Sequence, residues 1–290
     1  MPAVLTKSFD CPFVSLVNNN PIMSDSSSHM AAPLNQMDIL RRLKNAPCVG
    51  ELSLQVIEST DSTNSAIRQM EGAYVAVIAE VQSVGRGRRG RSWVATPYKN
   101  LLMSVSRKLD LKANEMSGLS LAAGVSVVRA LDDCGIADVG LKWPNDIMVG
   151  RAKLGGLLVE VGRCETGRVE IVIGLGLNIQ LADDDLTRIP GEAADLYRLT
   201  GMLHNRNEIA ARVIQRFFEM LKLFEQHGFS PFRRSWELLH VFQNQPVKLY
   251  SPRGIFEGTA VGVDDSGHLV LRSDSGDLSH WGMGEVSSRG

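Results

Sequence analysis

The chain has 290 residues, 44% of them hydrophobic, 22% charged and 6% aromatic, which suits one large or two smaller globular domains with a sizeable core. A formal net charge of -1 argues against a protein that coats nucleic acid through overall basicity. Cys11, Cys48, Cys134 and Cys164 lie far apart with no CxxC pair, against a zinc site or disulfide framework and in keeping with a reducing cytoplasm; no apolar run approaches a membrane span.

Residues 1–32 carry Asn18-Asn19-Asn20-Pro21 and Ser24-Asp25-Ser26-Ser27-Ser28 and no apolar period, so they read as disordered, with Met23 and Met30 as candidate starts. Lys7 is the one lysine there, with no arginine, and no long apolar core follows it, which does not make a signal or transit peptide. A helix is predicted over Asn35–Leu43 and a strand over Leu52–Glu58. Ser59-Thr60-Asp61-Ser62-Thr63-Asn64 then leads into a short helix near Ser65–Met70. Capping explains one such residue, and the surplus could hydrogen-bond a polar ligand.

A buried strand at Val75–Ala79 precedes Gly85-Arg86-Gly87-Arg88-Arg89-Gly90-Arg91. Three glycines make that stretch a loop, and four like charges repel unless an anion sits among them. Guanidinium groups hold phosphate or carboxylate in a two-pronged grip. A strand at Leu101–Ser106 and a helix over Leu119–Cys134, stopped by Gly135, follow. Next comes Leu141-Lys142-Trp143-Pro144-Asn145-Asp146-Ile147-Met148-Val149, where Pro144 ends the strand in a turn among polar groups costly to bury unpaired. Asp146 could hold a magnesium ion or a lysine. Lys153-Leu154-Gly155-Gly156 precedes a strand at Leu157–Val161, and its glycine pair suits either an ordinary hairpin or close approach of a ligand.

The strand Val169–Ile173 runs into Gly174-Leu175-Gly176-Leu177-Asn178, whose alternating glycines imply something lying flat on the backbone. Leu181–Leu196 reads as an irregular loop. Asn207 is expected to cap an amphipathic helix that ends at Gly228. After Gln243 the strands Pro246–Tyr250, Phe256–Val263, His268–Leu271 and Trp281–Val286 predict a small β-barrel.

There is no Walker motif, and the Gly85–Gly90 match to G-x-G-x-x-G opens no helix. Concentrated cations without a Ser-His-Asp or Cys-His arrangement point to phosphoryl or nucleotidyl transfer, where positioning and charge stabilisation dominate.

Five ordered motifs carry a resemblance. Asp61-Ser62-Thr63-Asn64, Gln82 with Gly85–Arg91, Lys142-Trp143-Pro144-Asn145-Asp146, Lys153-Leu154-Gly155-Gly156 and Gly174-Leu175-Gly176-Leu177-Asn178 resemble those of the bacterial biotin protein ligases. The resemblance implies an α+β fold: a mixed sheet with packed helices of the class II synthetase-like, biotin/lipoate ligase type at 33–242, and an SH3-like barrel at 243–290. It implies adenylation of biotin by ATP with Mg2+, then transfer to a lysine of a biotin carboxyl carrier protein. Lys153, Asp146, Lys142 and Arg88 would be catalytic. Ser62, Thr63, Asn64, Gln82, Arg86, Gly87, Arg88, Lys153 and Gly156 would bind biotin. Arg88, Arg91, Trp93, Lys142, Asn145 and Asn178 would bind nucleotide, with no protein metal site. Members often dimerise through a sheet edge, and some carry an N-terminal winged helix-turn-helix, for which too little chain precedes the first strand here. A monofunctional cytoplasmic ligase without specific DNA binding is therefore expected. Alternatives are a lipoate-protein ligase, an RNA-binding module, which the low aromatic content disfavours, and a docking scaffold.

Overall fold

The structure, a computed structural model, describes residues 32–44, 46, 48–112, 115–165 and 168–289. The stretch read as disordered lies outside the described residues, apart from its last residue. Helix α1 (Gln36–Arg42) is capped by Asn35, which accepts from Asp38 N. Strands β1 (Leu52–Thr60) and β2 (Tyr74–Gln82) pair in parallel. Parallel neighbours need a crossover, supplied by α2 (Thr63–Ala66) and the 3-10 turn Ile67–Gln69. After β3 (Asn100–Leu109) and α3 (Leu119–Asp133) come β4 (Gly140–Lys142), β5 (Asp146–Val149), β6 (Ala152–Glu165) and β7 (Arg168–Asn178). The seven strands lie in the order β1-β2-β3-β7-β6-β5-β4, antiparallel beyond the first pair.

The Leu181–Leu196 segment is more regular than its sequence suggests, since it contains α4 (Asp183–Arg188) and enters α5 (Leu196–Thr200). Helices α6 (Arg206–His227) and α7 (Ser230–Leu239) complete the main domain. The cap of α6 is Asn205, whose side chain accepts from Asn207 N and Glu208 N. Asn207, expected there, instead accepts from Asn35 N and donates to Pro33 O, fastening the incoming chain to the helix. Two asparagines at i and i+2 both satisfy the cap preference, and tertiary partners decide between them.

Side-chain alternation gives the sheet two distinct faces. Ala76, Ile78, Met103, Ile171, Ile173, Leu175 and Leu177 face α3 and α6 in the main core. Val75, Val77 and Val172 face the other way and pack with Ile67 beneath the crossover. The functional cleft lies on this second, thinly covered face.

Strands β8 (Pro246–Ser251), β9 (Gly254–Val263), β10 (Leu269–Arg272), β11 (Leu278–Trp281) and β12 (Glu285–Ser288) form one antiparallel sheet in the order β11-β10-β9-β8-β12. The expected barrel is not closed. The link from Trp281 to Glu285 spans at most about 14 Å, so the sheet curls until its edges approach, but no ladder joins β11 to β12. Val247, Leu249, Ala260, Val263, Leu269 and Val286 belong to the same continuous core as the main domain, and Trp143 Nε1 donates to Gly267 O at 3.2 Å. No helix among the described residues is long and apolar enough to cross a membrane.

Candidate active site

A cavity of about 550 Å³ opens on the second face of the sheet. Its floor is the β7 row Gly174, Gly176 and Asn178, whose intervening residues Leu175 and Leu177 point into the core. What lies flat on this row is the protein itself. A Cβ at Gly174 would overlap Asn64 Oδ1, and one at Gly176 would come within 2.5 Å of Trp93 Cε2. Gly156 on β6 also lies under Trp93, while Gly155 is held small by the facing Gly176 carbonyl.

One end of the cavity is polar and uncharged. The first turn of α2 buries Ser62, Thr63 and Asn64. Thr63 N donates to Gln82 Oε1 at 2.7 Å, and Thr63 Oγ1 lies 3.1 Å from the same oxygen. Ser104, fully buried on β3, places its Oγ 2.7 Å from Thr63 Oγ1 and 2.6 Å from Asn64 Oδ1. Asn64 Nδ2 donates to Glu160 Oε2 at 3.0 Å.

The other end concentrates charge. Lys153 Nζ reaches Asp146 Oδ1 at 2.6 Å and Lys142 Nζ reaches Asp146 Oδ2 at 3.0 Å. Burial alone would raise the Asp146 carboxyl, but the two ammonium groups and their hydrogen bonds hold it below the ordinary value. Both Asp146 oxygens thus hold lysines, the second of the two roles open from the sequence. Lys153 Nζ also sits 5.6 Å over the Trp93 ring. Its backbone fixes the segment opposite, with Lys153 N donating to Glu192 O at 2.7 Å and Lys153 O accepting from Ala194 N at 2.9 Å.

The glycine-arginine loop spans the two ends. It folds back through an Arg86–Ser92 bridge and a 3-10 turn at Arg88–Gly90, in which Arg89 takes a φ of 58°. Each arginine has a different environment. Arg86 donates to Ser65 Oγ at 2.7 Å, tying the loop to α2. Arg88 donates to Asn145 Oδ1 at 3.3 Å. Burial, then the neighbouring charge of Arg89, press the Arg88 guanidinium below its ordinary value, with Asp146 and Glu285 opposing. An anion in the cavity would relieve that cost. Arg91 grips Glu285 of the C-terminal sheet through two hydrogen bonds, at 2.9 and 2.5 Å.

The sequence-derived candidates Ser62, Thr63, Asn64, Gln82, Arg86, Gly87, Arg88, Arg91, Trp93, Asn145, Asp146, Lys153, Gly156 and Asn178 all line this one cavity. Lys142 does not, and stands behind Asp146 as its second partner. Two asparagines serve mainly as struts. Asn178 accepts from Asn100 Nδ2 at 2.9 Å and donates to Ala194 O at 3.0 Å. Asn145 donates to Leu157 O at 2.7 Å. Sequence reasoning missed Ser104 and Glu160, polar residues inside apolar strands, which is a usable signal. It also missed Glu285 and Arg188, which line the wall from distant segments. Among the described residues no cluster of three or more His, Cys, Asp or Glu is placed to hold a metal ion.

Comparison with known proteins agrees with this geometry. Residues 53–178 match the Biotin/lipoate A/B protein ligase family, and residues 242–289 match the Biotin protein ligase C terminal domain. The chain is 34% identical over 259 residues to the bifunctional ligase/repressor BirA of Escherichia coli, covering 88% of this chain and 78% of that protein. It is 32% identical over 250 residues to the biotin--[acetyl-CoA-carboxylase] ligase of Mycobacterium tuberculosis, covering 82% and 90%. The biotin protein ligase of Aquifex aeolicus, solved in complex with biotin and ATP, superposes with a TM-score of 0.68 at 28% identity over 81% of this chain and 97% of that one. With these relatives and with the motifs gathered round one cavity, the chain belongs to the biotin protein ligase family.

Proposed function

We infer that this chain activates biotin with ATP and passes it to a lysine of a biotin carboxyl carrier protein, as in acetyl-CoA carboxylase. The observation that carries the reading is the polarity of a single cavity, neutral and hydrogen-bonding at one end, cationic at the other. Biotin has the same polarity, an uncharged ureido ring joined by an apolar chain to a carboxylate.

In this reading Ser62, Thr63 and Gln82 receive the ring, and the chain runs through the cavity past Trp93, which itself covers the glycine floor. The carboxylate then arrives beside Lys153. Two anions, this carboxylate and the α-phosphate of ATP, must meet there, and Lys153 and Arg88 offset their repulsion. A carboxylate oxygen attacks the α-phosphorus, the bond to the β-phosphate oxygen breaks, and biotinyl-5′-AMP and pyrophosphate form. The acceptor amine then attacks the carbonyl carbon of the mixed anhydride and AMP leaves. Asp146 holds Lys153 and Lys142 in place for both steps. The folded loop retains the adenylate and excludes water, which would hydrolyse it.

Magnesium is expected to enter with the ATP phosphates as part of the substrate, because Asp146 already bonds two lysines and Glu285 is held by Arg91. The free thiols of Cys48 and Cys134 suit work in the cytoplasm. The test is transfer itself. Purified protein, ATP, magnesium and biotin should add one biotinyl group to a single lysine of a carrier domain, seen by intact mass. Lipoylation of a carrier in place of biotinylation would move the chain to the sister chemistry.

A further inference from the structure

We propose that Ser104 and Glu160, neither of which lines the cavity, set the donor–acceptor polarity of its neutral end and so act as positioning residues for ligand specificity. The proposal rests on the biotin reading above and deepens it.

The argument is a count of protons. Glu160 Oε2 lies 3.0 Å from one terminus of the Asn64 carboxamide and Ser104 Oγ 2.6 Å from the other. A carboxylate accepts only, so the terminus facing Glu160 must be the NH2 and the terminus facing Ser104 the carbonyl. Arg68 Nη2, 3.3 Å from the same Glu160 oxygen, fixes that carboxylate from its solvent side. The carbonyl of Asn64 has no proton, so the single Ser104 proton must go to it. The 2.7 Å contact between Ser104 Oγ and Thr63 Oγ1 then needs the Thr63 proton. No proton remains for the 3.1 Å approach of Thr63 Oγ1 to Gln82 Oε1, but that oxygen is already served by Thr63 N at 2.7 Å.

Donation therefore runs one way, from Thr63 to Ser104 to Asn64 to Glu160. Two consequences reach the cavity. Thr63 can offer a ligand only the lone pairs of its hydroxyl, and Gln82, whose Oε1 is turned to Thr63 N, holds its NH2 in a fixed place as a donor. Ser62 Oγ has no partner among the described residues and adapts to either role. One fixed acceptor and one fixed donor side by side match a cyclic urea, which presents N–H and C=O groups in the same way. A dithiolane or a plain acyl chain would leave both unpaired, at a cost in binding. Asn64, expected from the sequence to touch biotin, is in this scheme an internal link. Gly174 is a glycine because this carboxamide lies against it.

The experiment uses Glu160→Gln and Ser104→Ala in the full chain, assayed by ATP–pyrophosphate exchange with biotin and with octanoate. Glu160→Gln keeps the shape of a partly exposed side chain, and lets Asn64 turn over because glutamine both donates and accepts. Each variant should raise KM for biotin about ten-fold, with kcat and KM for ATP within two-fold, and should narrow the preference for biotin over octanoate by the same factor. Glu160→Asp, which keeps an acceptor-only group, should recover part of the loss. A purely structural role would instead lower the active fraction equally for both acids. An active wild type with Glu160→Gln unchanged within two-fold overturns the proposal while leaving the ligase reading intact. A folded wild type showing no biotin-dependent exchange overturns that reading and the proposal with it.

Discussion

Asp146 joins Lys142 and Lys153 at the cationic end of the cavity, and its carboxyl titrates below the ordinary value of 3.8 despite its burial. A carboxyl whose pKa is lowered on folding contributes stability that is present above the unfolded value and lost as pH falls through the folded one. Removing one partner of a buried pair leaves the others uncompensated. Asp146→Asn should therefore lower the unfolding free energy by on the order of 1–3 kcal/mol at neutral pH, where partial exposure of the lysines moderates the cost. The gap from wild type should close as the pH falls below 3.8. Urea melts of both proteins at pH 7 and pH 3 check this, and an equal gap at both would contradict it. The sequence marked Asp146, Lys142 and Lys153 as polar groups in apolar surroundings, and left open whether the carboxylate faced a metal or a lysine. Only the β5–β6 pairing, which brings Asp146 opposite Gly156 and beside Lys153, decides that.

At the scale of the element, β7 shows how a strand can be core on one side and binding site on the other. Its glycines were legible as places where something lies flat on the backbone. That the occupants are Asn64 and Trp93, from segments far apart in sequence, was not, because what packs across the face of a sheet is a tertiary fact. Gly176→Ala would put a methyl group inside the Trp93 ring, and overpacking of this kind costs roughly 1–3 kcal/mol. The expected result is a loss of that size in urea unfolding, with a red shift of tryptophan emission as the half-buried indole is pushed off the strand. Unchanged stability and emission would show that Trp93 does not rest on this strand. The loop before α5 was less legible. Its order comes from bonds to Lys153 and from the fully buried Asp195, which accepts from Leu181 N and Arg198 N and pairs with the Arg198 guanidinium. None of these contacts leaves a periodic trace.

For the whole molecule, the order of motifs along the chain was enough to indicate the fold, since the resemblance carries the architecture with it. Composition and periodicity alone would have given strands and helices without the sheet order, and a closed barrel where the C-terminal sheet stays open. Buried Arg206 also escaped notice. It donates to Glu80 at 2.6 Å and to Asn100 O at 3.1 Å, and so ties the start of α6 to β2 and β3. The grip of Arg91 on Glu285, 194 residues away, brings the C-terminal sheet to the cavity wall. The central claim is that one cavity joins the carboxylate of a ligand with an uncharged ring to a nucleotide through Lys153. The most direct measurement is exchange of labelled pyrophosphate into ATP by the full chain with magnesium, given biotin or lipoate, in wild type and Lys153→Ala. The account predicts exchange with biotin alone, reduced at least a hundred-fold in the variant, since a fixed cation at a developing charge contributes about 2.7–4 kcal/mol. Exchange that survives in Lys153→Ala, or that follows lipoate, would contradict it.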